Sequence, residues 1–182
     1  GAVYSNSVLG IKTPRISLLN VGEEEGKGNK LVGATRDLLK MSSLNFIGHV
    51  EGNHLFEGRT DVLVCDGFSG NLILKTAEGV AEFMTREIRN GARRSPFAML
   101  GGMLMRGVFK RLKARLDYTQ YGGAQLLGVN GVCIISHGRS DRRAVYNALR
   151  VGADIAEKDV NKKIVAGMVA ESVAVPVSGD MP

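Results

Sequence analysis

The chain has 182 residues, 44% hydrophobic and 23% charged, with a net charge of +6. That composition admits one domain with a hydrophobic core. No apolar run approaches the ~18 residues needed to cross a bilayer and no signal peptide opens the chain, so the expectation is a cytoplasmic globular protein. Cys65 and Cys133 sit in apolar strand runs and read as reduced core thiols. The basic charge is local. From Arg86 to Arg115 nine Arg and Lys stand against Glu87 alone, a local +8, so the remainder carries −2. Such a patch argues against a nucleic-acid-coating domain.

Residues 1–10 read as the latter part of a helix ending at Gly10. With no initiator Met, the expectation is a fragment or a processed chain. Thr13-Pro14-Arg15 forms a loop, and the run 16–21 a buried strand. Leu31, Val32, Thr35, Leu38 and Leu39 then recur at helical spacing and predict a helix over 30–40. Strands follow at 45–50 and 61–65, and His49 and His54 read as surface or packing residues. A helix over 71–89 presents Ile73, Ala77, Val80, Ala81, Met84 and Ile88 as a stripe toward a core. Arg93-Arg94-Ser95-Pro96 breaks it, and a separate segment covers 97–116. A strand at 132–135 and a helix over 141–168 complete the pattern, with a flexible tail over 169–182. Strands alternating with helices predict a three-layer αβα fold with a mostly parallel sheet.

Four polar or glycine-rich loops carry the chemistry: Gly22-Glu-Glu-Glu-Gly-Lys-Gly-Asn29, Asp66-Gly-Phe-Ser-Gly-Asn71, Asp117-Tyr-Thr-Gln-Tyr-Gly-Gly123 and Ser136-His-Gly-Arg-Ser-Asp141. The first, second and fourth follow strands, and in a parallel sheet the carboxyl ends of strands form the ligand crevice. Backbone N–H groups, a cation and a helix N-terminus at that edge suit a phosphate or a developing oxyanion. In the second loop Asn71 and Lys75 face that role, while Asp66 or Asn71 equally suits a helix cap. The first loop is not a P-loop. Its glycine spacing is one residue short, and Gly28 stands where Ser or Thr would bind magnesium. The run Glu23 to Glu25 reads as a solvated loop rather than a metal site. His137, at a strand end between Ser136 and Gly138, is placed to donate to an oxyanion or accept a proton.

The runs Asn20-Val-Gly-Glu-Glu-Glu-Gly-Lys-Gly-Asn29, Asn45-Phe-Ile-Gly48 and Cys65-Asp-Gly-Phe-Ser-Gly-Asn71 with Lys75-Thr76 resemble the bacterial phosphate acyltransferase (PlsX) family. So do Asp117-Tyr-Thr-Gln-Tyr-Gly-Gly-Ala124 and His137-Gly-Arg-Ser-Asp141, in the same order. The resemblance implies a phosphotransacetylase- or isocitrate-dehydrogenase-like fold and transfer of a long-chain acyl group from acyl carrier protein to inorganic phosphate. Acyl-phosphate for phospholipid synthesis would be the product. It implies Lys27, Asn71 and His137 as catalytic residues, with Asp66, Gly67, Gly70 and Lys75 beside the substrate and Gly122 and Gly123 shaping the pocket. Family members are about twice as long, so residues 1–168 would be the C-terminal half of the domain. Phosphate is itself the nucleophile, so neither an acyl-enzyme, a metal nor a nucleotide cofactor is expected.

Within 97–116, Leu100, Leu104, Val108, Leu112 and Leu116 follow a four-residue spacing, with Arg106, Lys110, Arg111, Lys113 and Arg115 supplying charge. Such a basic amphipathic segment suits an anionic membrane interface, a dimer arm or the acidic acyl carrier protein. The resemblance implies a homodimer whose projecting segment, 93–117, meets the membrane, and hence a peripherally membrane-associated enzyme. Two rivals stand beside this reading: a short-chain phosphotransacetylase, and a non-catalytic fragment that keeps only the dimer and membrane contacts.

Overall fold

A computed structural model describes residues 1–24, 26–116, 122–138 and 140–174, with the backbone alone at 113–116 and 171–174. Strands β1 (Ile16–Leu19), β2 (Phe46–Val50) and β3 (Val62–Val64) form a parallel sheet in the order β2-β1-β3. Each falls within its predicted run. Central β1 sets Ser17 opposite Gly48 and Leu63, and Leu18 opposite His49 and Val64. A strand flanked on both sides and covered on both faces reads as a near-continuous apolar run. Accordingly Ile16 and Leu18 are only 2% and 3% exposed.

An ion pair locks the entry to the sheet. Arg15 Nε and Nη2 donate to Asp61 Oδ2 and Oδ1 at 2.9 and 3.0 Å, and the Arg15 main-chain N–H adds a 2.8 Å bond to Oδ2. The second guanidinium nitrogen also donates to the Gly58 carbonyl at 2.8 Å. These bonds fix where β3 begins relative to β1. They also hold the Asp61 carboxyl down to about 2.

Helix α1 (Ala2–Leu9) ends at Gly10, as its sequence predicts. It packs on α7 (Val160–Ala174), where Gly167 leaves room for Val3. Helix α2 (Lys30–Met41) starts at the Asn29 cap, whose Oδ1 accepts from the Val32 N–H at 2.9 Å, and covers β1 and β2. The β1–α2–β2 connection thus returns on one side of β1, while β3 lies on the other. The loops leaving β1 and β3 emerge side by side at the carboxyl edge, the position where such sheets bind ligands.

Helix α3 (Gly67–Ala92) begins four residues before its predicted start, because Asp66 caps it. The expectation that its stripe faces a core is overturned: no α3 residue is buried, and Val80, Met84 and Ile88 are exposed. A helix of this length runs about 39 Å, whereas three-residue β3 spans about 10 Å. So short a sheet cannot cover it, and α3 packs chiefly on α4 (Pro96–Leu104).

The predicted single segment 97–116 is two helices, α4 and α5 (Arg106–Leu116), separated at Met105. Gly101, Gly102 and Gly107 flank the break, and each weakens a continuous helix by about 1 kcal/mol relative to Ala. The strand at 132–135 shortens to β5 (Ile134–Ile135), paired antiparallel with β4 (Ala124–Gln125) apart from the parallel sheet. The predicted helix 141–168 is α6 (Arg142–Glu157) and α7, broken where Asp159 takes φ 50°. Helix α7 continues to Ala174, and the remaining predicted tail, 175–182, lies outside the described residues. The expected burial of Cys65 is also corrected: it lies exposed at the end of β3, while Cys133 is half-buried, and both are free thiols. Among the described residues, no helix is long and apolar enough to cross a membrane.

Because the Asp61 carboxyl is depressed in the fold, its stabilising contribution is complete above the ordinary aspartate value of about 4 and fades as pH falls toward 2. Asp61→Asn should unfold more readily at neutral pH and lose stability less steeply between those limits. Denaturation midpoints measured across the acid range check both expectations.

Candidate active site

The loop after β1 folds back on the strand that delivers it. Asn20, 7% exposed, donates from Nδ2 to the Lys27 carbonyl at 3.0 Å and accepts the Val21 N–H on Oδ1 at 2.9 Å. Gly28 follows at φ 103°, a left-handed conformation open to glycine at little cost. A Cβ there would stand 2.5 Å from Asn20 Oδ1. The Lys27 side chain is exposed at the sheet edge, its Nζ 2.8 Å from Glu24 Oε1. Glu24, then Glu51, favours its charged form and raises its pKa, and Lys27 in turn lowers that of Glu24. Of the three adjacent carboxylates, Glu24 therefore partners the lysine and Glu23 reaches Arg59 Nη1 at 3.5 Å. Glu25 lies outside the described residues.

On the neighbouring strand, β3 passes through Cys65 to Asp66 and directly into α3. Asp66 Oδ1 accepts the Ser69 N–H at 2.9 Å and Oδ2 accepts the Ser69 hydroxyl at 2.6 Å, which together hold its carboxyl below the usual range. The cap reading of Asp66 is therefore the one realised. Gly67 opens the helix, and Gly70 lies against Cys65, whose Sγ a Cβ would meet at 3.0 Å. Partial desolvation, then the Asp66 charge, pushes the Cys65 thiol up, which disfavours a nucleophilic thiolate.

Asn71 is exposed in the second turn of α3, with Lys75 one turn further on the same face. Lys75 Nζ is 2.8 Å from Glu78 Oε2. Lys75 and, more weakly, His137 hold the Glu78 carboxyl below its ordinary value. Lys27, Asn71, Lys75 and His137 are all exposed, on loops or helix turns that leave the carboxyl ends of strands. Among the described residues, no group of three or more His, Cys, Asp or Glu side chains is arranged to hold a metal ion.

A family described as "Fatty acid synthesis protein" matches residues 1–163. The chain belongs to that family. It is 50% identical over 169 residues to a phosphate acyltransferase of Dictyoglomus turgidum, covering 92% of this chain and 50% of the relative. It is 46% identical over 166 residues to a phosphate acyltransferase of Campylobacter fetus, covering 90% and 50%. A phosphate acyltransferase of Acidobacterium capsulatum is 45% identical over 170 residues, covering 93% and 50%. The chain therefore spans about half the length of the curated relatives it matches.

In this family member the other assigned residues sit apart from the two loops. Gly122 is buried at φ 73° against α6, where a Cβ would collide with the Asn147–Ala148 backbone, and its carbonyl accepts from the Ser136 hydroxyl at 3.0 Å. Gly123 backs onto β5, a Cβ there reaching 2.6 Å from the Ile135 carbonyl oxygen. Both glycines thus fit the hairpin to its neighbours. Residues 117–121 of their loop, and Arg139 after His137, lie outside the described residues. Leu100 and Leu104 belong to α4, whereas Val108, Arg106, Lys110 and Arg111 belong to α5; all are exposed. The bonding roles of Asn20, Glu24 and Glu78 escape the sequence reading. A buried amide closing a strand was the available signal for Asn20, and acids at i−3 and i+3 from the lysines were the signal for the other two.

Gly122→Ala combines left-handed strain of about 1–2 kcal/mol with a clash against α6 that cannot relax through a side chain. It should destabilise the chain by about 2 kcal/mol or more, read from a denaturant titration.

Proposed function

We propose that this chain serves a phosphate acyltransferase that moves a long-chain acyl group from acyl carrier protein to inorganic phosphate, releasing acyl-phosphate for phospholipid synthesis. The observation that carries the reading is the adjacency of the Lys27 loop and the N-terminus of α3 at the carboxyl ends of paired strands β1 and β3. The naming of the relatives supports it. The chain would form the C-terminal half of the acyltransferase domain, with the remainder covering the apolar face of α3.

An oxygen of hydrogen phosphate attacks the thioester carbonyl, the C–O bond forms, the C–S bond breaks, and the proton given up by the hydrogen phosphate ends on the departing sulfur, releasing the thiol. Lys27 exchanges its exposed Glu24 partner for the phosphate and holds the nucleophile in position. The partial positive charge at the start of α3, with Asn71 one turn in, meets charge as it develops on the carbonyl oxygen. His137, at the end of β5 in the separate two-stranded sheet, would supply a further donor. Fixed donors of this kind are worth about 3 kcal/mol each when aimed at the transition-state charge. Asp66 acts by setting the helix start, and Lys75 adds positive charge on the Asn71 face.

The long-chain substrate, rather than a short-chain one, is favoured by α4 and α5. Phe97 and Leu104 are 87% and 81% exposed, beside the basic groups Arg106, Lys110 and Arg111. An apolar helix followed by a basic one suits an anionic bilayer surface, each basic group near it contributing about 1 kcal/mol. The same charge suits acyl carrier protein, and the segment would serve as the arm of a homodimer.

Lys27→Ala and Asn71→Ala should each lower acyl-phosphate formation at least about tenfold with the circular dichroism spectrum unchanged. The assay combines the chain with the complementary half of a relative, and wild-type rates in both variants would remove the site assignment. Leu104→Asp and the joint change of Arg106, Lys110 and Arg111 to Glu should each abolish co-sedimentation with vesicles containing phosphatidylglycerol. Wild-type binding should weaken as salt rises, and unchanged binding in both variants would exclude the membrane role.

A further inference from the structure

Asn20 makes three hydrogen bonds in three directions. Its main-chain N–H donates to the Val50 carbonyl at 3.0 Å, extending the β1–β2 pairing one residue past the strand. Its Oδ1 accepts the Val21 N–H, and its Nδ2 crosses to the Lys27 carbonyl, seven residues along the chain. We propose that Asn20 is a positioning residue that pins the return leg of the 20–29 loop to the sheet and so presents Lys27 at the carboxyl edge. The proposal rests on the reading of Lys27 as the phosphate-binding cation.

The Lys27 side chain does not fix its own place. Its ion pair with Glu24 joins two side chains that are 51% and 66% exposed, and exposed pairs of this kind hold little geometry. The turn bond from the Lys27 N–H to the Glu24 carbonyl, 3.2 Å, lies wholly inside the loop and cannot anchor it to anything outside. Asn20 supplies the outside anchor, since it is buried and already tied to β2. Gly28 fits the same purpose. Its left-handed backbone lies so near Asn20 Oδ1 that a side chain there would displace the carboxamide. The two residues form one joint, with the amide on the strand side and the bare α-carbon on the loop side.

Asparagine is the amide that meets both demands at this reach. Aspartate would keep an acceptor for the Val21 N–H but set a second oxygen against the Lys27 carbonyl, replacing a donor–acceptor contact by two facing acceptors. Asn20→Asp therefore tests the pin with almost no change in volume.

Peptide-resolved hydrogen exchange and inorganic phosphate titration followed by 31P line broadening would be run on wild type and Asn20→Asp at matched helix content. Exchange within 21–29 should accelerate roughly tenfold while β1 to β3 keep their protection, and phosphate affinity should fall several-fold. In the reconstituted assay the KM for phosphate should rise with that for the acyl donor unchanged. Unaltered loop exchange, or acceleration spread evenly through the sheet, would overturn the positioning role. Should Asn20→Asp fail to fold, Gly28→Ala disturbs the same joint from the loop side and is read in the same way. If wild type binds no phosphate, the phosphate role of Lys27 falls, while loop exchange still decides whether Asn20 pins the loop.

Discussion

Strand β1 is bonded on both sides, to β2 and to β3, and that double pairing decides where both polar loops leave the sheet. The register is held at each end by a polar contact, exposed at the entry and buried at the exit. At the entry, the Arg15 guanidinium and the Asp61 carboxylate align β1 with β3. At the exit, the Asn20 main chain continues the pairing with Val50. A slip of one residue on either side would exchange the faces of the strand and carry Lys27 away from the start of α3. The local chemistry of the loops therefore depends on contacts made several residues before them.

The electrostatics of the edge follow one pattern. Each lysine there is already matched by an acid three positions away, Lys27 by Glu24 and Lys75 by Glu78. Both pairs are exposed, so neither adds much to stability. Each cation is neutralised locally, and under the proposed function a phosphate dianion would replace a monovalent carboxylate. In the proposed function such exchange would favour a ligand that carries more than one charge and meets more than one donor, as inorganic phosphate does.

How much of this was legible depends on how local each signal is. Strands β1 to β3 and helix α2 carry their own hydrophobic period and fall where the pattern puts them. The start of α3 was read too late because Gly67 and Gly70 resemble a loop, whereas the Asp66 cap carries the helix through both. The breaks at Met105 and Asp159 have no proline to announce them. The sheet-edge position of Asn71 was readable because a βα connection states its own place, whereas Lys27 was singled out by the family resemblance. The fitting of Gly122 against α6 arises from packing between distant segments, which residue spacing does not encode. Asn20 was hidden for the same reason: its partner lies across a turn whose shape only the fold supplies.

Helix α3 is a stiff rod fixed at one end by Asp66 and free of the sheet along most of its length. Taken as a lever pivoting at that cap, a tilt of about 5° would move its far end by about 3 Å but Asn71 by only about 0.5 Å, given the rise of 1.5 Å per residue. The end that carries α4 and α5 is thus mechanically tolerant, while the end that faces the β1 loop is not. A surface helix riding on an uneven or moving support would leave the geometry at the sheet edge nearly undisturbed.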